Sequence, residues 1–145
     1  MSLEENKALV RRFNEEAFDD GDLGAAERYL AADFLNHVSG KRGVEDMQRI
    51  IRYVRTTFPD GRVSIDQEIA EGDLVVQVIT STGTHSGVAL HVPWGAVAPT
   101  GRHVSWQSVR IYRIAGGKIA EHWALRDDLG LLMQLGALPG GGAQA

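Results

Sequence analysis

The 145 residues contain no cysteine. That single absence excludes structural disulfides, thiolate metal sites and cysteine nucleophiles together. No apolar run approaches membrane-spanning length, and Met1-Ser2-Leu3-Glu4-Glu5 lacks the basic-then-apolar order of a signal peptide. A cytoplasmic protein without a membrane partner is the expectation. Excess positive charge is missing too: the net charge is −4, with both signs spread along the chain. A phosphate backbone needs a basic face, so no nucleic-acid partner is expected. Among the five histidines no pair has the i, i+4 spacing of a zinc helix, and no His-x-His pair sits on a strand, so no metal site is expected. There is no phosphate-cradling glycine loop and no nucleophile elbow around a serine.

What is present reads as one domain, residues 1–138, with a frayed tail at 139–145 carrying three consecutive glycines. Ser2-Leu3-Glu4-Glu5 has capping-box spacing and opens a helix whose stripe is Leu3, Val10, Phe13 and Ala17, ended by Asp20-Gly21. Asp22 caps a second helix, Leu23 to Ala31, and Phe34 to Val38 is a brief extended piece. A third helix runs from Val44 to Phe58, with Val44, Met47, Ile51, Val54 and Phe58 on one face. Arg49, Arg52 and Arg55 read as its solvated side.

Strands follow. Val63 to Ile69 alternates, Glu71-Gly72-Asp73 turns, and Leu74 to Thr84 is rich in β-branched residues. Ser86 to Arg102 carries Gly87, Pro93, Gly95, Pro99 and Gly101 and reads mostly as loop. His103 to Ile114 and Lys118 to Arg126 flank Gly116-Gly117, a two-residue hairpin turn. Asp127 then caps a short helix with Leu129, Leu131, Leu132 and Leu135 at helical spacing, closed by Gly136. Helices first and a strand meander afterwards predict an α+β fold, with helices on one face of an antiparallel sheet.

The C-terminal run carries a resemblance. Gly117-Lys118-Ile119-Ala120-Glu121-His122-Trp123, then Asp127, Leu129-Gly130-Leu131-Leu132 and Gln134-Leu135-Gly136, resembles the SnoaL-like polyketide cyclase and ester cyclase family of the nuclear transport factor 2-like superfamily. Thr84-His85-Ser86-Gly87 and Pro99-Thr100-Gly101-Arg102 match as well. The likeness spans about residues 3 to 138. It implies a cone-shaped curved antiparallel sheet wrapped around N-terminal helices, as in the cystatin-like α+β barrels, with a pocket between sheet and helices. It also implies a small-molecule partner of aromatic or polyketide-like character, no cofactor, and a homodimer formed through the outer sheet face.

Strand parity sorts the candidate site residues. One face of the His103 strand shows Val104, Trp106, Ser108, Arg110 and Tyr112. On the last strand the choice is Ala120, His122, Ala124 and Arg126, or Ile119, Glu121, Trp123 and Leu125. Family members with an acid–base cyclase mechanism carry a His or Asp at the position of Arg110 and an Asp at that of Ala124. Trp106, Ser108, Arg110, His122 and Arg126 are therefore assigned to the cavity, and the family's acid is missing. The expected substitute is His122 as proton shuttle near neutral pH, with Arg110 or Arg126 holding an enolate or phenolate oxygen and Trp106 stacking on the substrate.

Asp128, in the first turn of the last helix, completes the catalytic set, whereas Asp127 reads as its N-cap. Trp94 is expected to be a lid aromatic on the long loop. His85 either reaches the pocket mouth or anchors that loop; Asn36 and His37 are further polar contacts. Trp123 packs in the sheet or at a subunit interface. Three functions remain open: a cyclase, isomerase or hydroxylase of SnoaL type; a small-molecule binder of the same fold that has lost the acid; and a dimeric scaffold.

Overall fold

The computed structural model describes residues 2–138. The expected tail at Pro139–Ala145 lies outside the described residues. Helix α1, Leu3–Asn14, starts on the full capping box, with Ser2 Oγ accepting from Glu5 N and the Glu5 carboxylate accepting from Ser2 N. It does not stop at Asn14 but continues as a π-helical turn over Glu15–Asp19. Helices α2, Gly24–Tyr29, and α3, Val44–Thr57, follow, with strands β1, Leu30–Asn36, and β2, Lys41–Arg42, between them. The predicted second helix gives up its last residues to β1. Leu30 is extended and pairs with Ile119, because burial in the sheet outweighs its helical propensity.

The meander is β3, Arg62–Glu71; β4, Leu74–Thr84; β7, His103–Ala115; and β8, Lys118–Arg126. The expected loop at 86–102 holds a small hairpin of its own, β5, Leu90–Val92, with β6, Gly95–Val97. Helix α4, Asp128–Leu135, starts on Asp127, whose side chain accepts from Gly130 N. Gly116 and Gly117 both have positive φ, 59° and 75°, as the two-residue turn requires.

The main sheet has the order β2-β1-β8-β7-β4-β3 and is not closed. It is mixed rather than purely antiparallel, since β1 runs parallel to β8. That pairing sets Asn36 beside His122. A bulge also lies in β8: Arg113 pairs with Glu121 but Ile114 with Ile119, leaving Ala120 as the extra residue. Parity therefore flips there. Ile119, expected beside Glu121 and Trp123, is instead fully buried in the core.

Two apolar cores result. One joins Val10 and Phe13 of α1, Ala17, Phe34, Ile51, Val75, Tyr112 and Ile119. The other joins Phe58, Leu90, Val104, Leu131, Leu132 and Leu135. The loop closes on the end of α3 through Gly87, where an added Cβ would lie 1.5 Å from the Thr56 carbonyl oxygen. Gly87→Ala is therefore expected to cost about 2 kcal/mol or more of stability, a backbone clash that no rotamer relieves. Thermal unfolding of the variant checks this; an unchanged melting temperature would contradict the close approach.

Candidate functional site

A cavity of about 410 Å³ lies at the seam between the two cores. Strand β7 contributes Trp106, Ser108, Arg110 and Tyr112, while β8 contributes His122, Ala124 and Arg126. Alternation puts these side chains on one face, and the β7–β8 register sets Tyr112 opposite His122, Arg110 opposite Ala124, and Ser108 opposite Arg126. The β1 end adds Asn36. The π-helical turn adds Phe18 and Asp19, and α3 adds Met47, Tyr53 and Arg55.

His122 is 7% exposed, and its Nδ1 lies 3.2 Å from Asn36 Oδ1. The same Asn36 oxygen accepts from Val38 N at 3.1 Å, while Asn36 Nδ2 donates to Asp46 Oδ2 at 3.4 Å. Asp46 is itself buried and accepts from Ser39 Oγ at 2.5 Å and from Arg49 at 2.6 Å. Burial opposes its charge, but the bonds from Ser39 and Arg49 outweigh that and hold its carboxyl below the usual value. Burial also lowers His122, helped by the positive charge of Arg110, to about 3. The expectation of an imidazole titrating near neutrality is not met. His122 is a neutral hydrogen-bonding group in the cavity wall.

Arg110 stacks its guanidinium over the Phe18 ring, 5.2 Å from the centroid. It makes no hydrogen bond or ion pair among the described residues, so its charge faces the cavity uncompensated. Tyr112 is committed elsewhere: its hydroxyl donates to Asn14 Oδ1 at 3.2 Å, Asn14 Nδ2 donates to Gln77 at 3.0 Å, and Gln77 donates to Glu68 at 2.8 Å. Glu68 is in turn paired with Arg11. At the rim Arg126 is bonded to Asp128. Arg55 donates to the carbonyls of Phe18 and Asp19. Trp106 packs on Phe58 at 4.8 Å between centroids and offers a ring to the cavity.

A family model, SnoaL-like polyketide cyclase, matches residues 8–135. The chain belongs to the SnoaL-like polyketide cyclase family. It is 30% identical over 125 residues to the nogalonic acid methyl ester cyclase of Streptomyces nogalater, spanning 83% of this chain and 90% of that one. Among solved structures, TsrD from Streptomyces laurentii superposes with a TM-score of 0.83 at 29% identity, covering 95% of this chain and 99% of the other. AclR from Streptomyces galilaeus, a candidate hydroxylase, gives a TM-score of 0.79 at 32% identity over 95% of this chain and 85% of its own. The family's nuclear transport factor 2-like fold is the architecture described above.

Three predicted ligand contacts do not reach the cavity. His37 projects from the opposite sheet face, stacked on Trp123 at 4.4 Å and bonded to Glu121 at 3.0 Å, because it follows the inward Asn36 by one residue. Trp94 sits in the turn of the β5–β6 hairpin and is 50% exposed; Leu90 is the residue of that hairpin that lines the cavity. His85 is fully buried behind Phe58, its Nδ1 accepting from Thr100 N at 3.3 Å, so it anchors the loop.

Sequence reasoning missed Asp19, Tyr53 and Asp46. Asp19 lines the cavity, and burial, with Asp20 adding to it, raises its carboxyl above the usual range. The π-helical turn that aims it inward has no local signature. The Tyr53 hydroxyl accepts from His91 N at 2.8 Å and pins the loop hairpin to α3. Asp46 carries no local signal beyond the acidity common in the first turn of a helix.

The His122 environment has a pH consequence. The unfolded imidazole takes a proton below about 6.5, whereas the folded one resists until about 3. The unfolded state therefore binds more protons between those values, and stability falls as pH drops through that window. Urea unfolding at stepped pH should show this component, up to about 1 kcal/mol per pH unit. In His122→Gln the component should be missing. Equal pH slopes for the two proteins would contradict the buried neutral imidazole.

Proposed function

We propose that the protein is a cofactor-independent acid–base enzyme acting on an aromatic or polyketide-like molecule with an acidic C–H between carbonyls, an aldol cyclase or isomerase in type. The observation that carries this reading is the pairing, in one enclosed space, of a neutral imidazole with an uncompensated guanidinium. The cavity lining supports an anionic reaction centre. It holds four arginines against two aspartates, in a chain whose net charge is −4. The relative that is a nogalonic acid methyl ester cyclase supports the substrate class.

In this reading the His122 Nε2 lone pair removes the proton from carbon, and the C–H electrons become the enolate, whose oxygen is held by Arg110. The enolate carbon attacks a second carbonyl of the same molecule, forming the ring C–C bond, and the imidazolium returns its proton to the resulting alkoxide. An imidazole lowered to about 3 is a weak base before negative charge develops beside it. The enolate compensates Arg110 as it forms and stabilises the adjacent imidazolium, so base strength rises with the reaction. Trp106 stacks on the substrate rings, Ser108 offers a polar edge, and the Arg126–Asp128 pair guards the rim, while the Asn36 amide is committed to Val38, Asp46 and His122. Asp128 acts there as an ion-pair partner in preference to a proton donor.

A second reading is favoured by Ala124: a binder of the same ligands without turnover. Hydroxyanthraquinones and β-keto esters should raise the melting temperature under either reading. Turnover of a stabilising compound separates the two. For the enzyme, His122→Ala should abolish measurable turnover and Arg110→Met should lower kcat about 10²-fold or more. Unchanged turnover in either variant would remove that residue from the reaction.

For assembly, we propose a homodimer through the outer sheet face, where His37, Leu74, Val109, Ile111, Trp123 and Leu125 line an apolar recess of about 540 Å³. Val109→Glu should then shift the mass measured by light scattering from dimer to monomer; a parent protein already monomeric would end that proposal.

A further inference from the structure

The reading of His122 as a base raises the question of which ring nitrogen carries the lone pair. The answer is fixed by Asn36 at the cavity wall and by Asp46 behind it. Asn36 faces three groups, and two of them dictate its amide orientation. Val38 N–H is an obligate donor, 3.1 Å from the Asn36 oxygen. The Asp46 carboxylate, held charged by Ser39 and Arg49, is an obligate acceptor 3.4 Å from the Asn36 nitrogen. Flipping the amide would set donor against donor at Val38 and acceptor against acceptor at Asp46, in a site where Asn36 is 1% exposed and water cannot compensate. The third group, His122 Nδ1, therefore meets an oxygen at 3.2 Å and must donate to it. A neutral imidazole that donates through Nδ1 has its lone pair on Nε2.

We propose that Asp46 is a positioning residue: acting through Asn36, it holds His122 in the Nδ1–H tautomer and so turns Nε2, as the proton acceptor, toward the cavity. This rests on the reading of His122 as the base. Asp46 touches neither substrate nor imidazole. Its carboxylate fixes which way the Asn36 amide faces, and the amide fixes where the proton sits. The geometry also explains why a carboxylate is buried at the start of α3 with three donors arranged around it. A solvent-facing aspartate would serve the helix N-terminus equally well.

The test is a long-range proton–nitrogen NMR correlation spectrum of protein labelled with 15N histidine, assigned with His122→Gln. At pH 7 the parent His122 should show a protonated Nδ1 and a bare Nε2. In Asp46→Asn the carboxamide can donate as well as accept, so only Val38 N–H still restrains the Asn36 amide and its fixed sense weakens. Nε2 should then move toward the protonated position, as a mixture of tautomers. Arg49→Met serves as control: it loosens the same corner, but Ser39 still donates to the Asp46 carboxylate and Asn36 is untouched, so it should keep the parent pattern. A parent His122 protonated on Nε2 would overturn the proposal. So would an unshifted spectrum in folded Asp46→Asn, or an equal shift in Arg49→Met, which would make the effect one of general loosening. With a turned-over compound in hand, Asp46→Asn should lower kcat about tenfold with little change in KM. If no compound is ever turned over, the catalytic reading fails while the nitrogen spectrum still decides the role of Asp46.

Discussion

The antiparallel pairing of β7 with β8 is the constraint on which the rest of the molecule turns. Tyr112 with His122, Arg110 with Ala124 and Ser108 with Arg126 are opposite one another on a single face. Directly opposed residues stand about 5 Å apart at Cβ. A slip of one residue would exchange this face for Val109, Ile111 and Trp123 and leave the cavity lined with the apolar outer surface. Gly116-Gly117 sets the register at the turn, and the bulge at Ala120 adjusts it once. Beyond that bulge the alternation runs unbroken to Arg126.

Where the chain could be read locally, it was legible. The capping box at Ser2, the Asp127 cap, the Gly116-Gly117 turn and the parity that sends Arg110 and His122 to one side all rest on neighbours within a few residues. What escaped depends on residues far apart in sequence. The parallel β1–β8 pairing brings Asn36 to His122 across more than eighty positions. Nothing in Phe34 to Val38 announces that partner. The π-helical turn that swings Phe18 and Asp19 over the cavity depends on packing of the α1 end, and Asp20-Gly21 masked it as an ordinary helix stop. Trp94 and His37 were misplaced for a related reason. Composition marks a loop or an extended piece but does not say which side faces the protein.

Electrostatics give the site its character. Two sets of polar side chains behind the cavity are partnered in directional series: His122 through Asn36 to Asp46, and Tyr112 through Asn14 and Gln77 to Glu68. Each series ends on a carboxylate that is paired with an arginine nearer the surface. Such satisfied networks are rigid, since any rotation leaves a buried group without a partner. Against this fixed background the Arg110 charge has no acidic partner among the described residues, and the cavity carries a standing preference for negative charge.

The register also bears on position 124. Arg110 and Ala124 occupy opposed positions on the same face. A carboxylate introduced at 124 would fall within reach of the guanidinium, and the two would close into an ion pair, each cancelling the other. The alanine thus leaves the guanidinium unopposed across the strand pair.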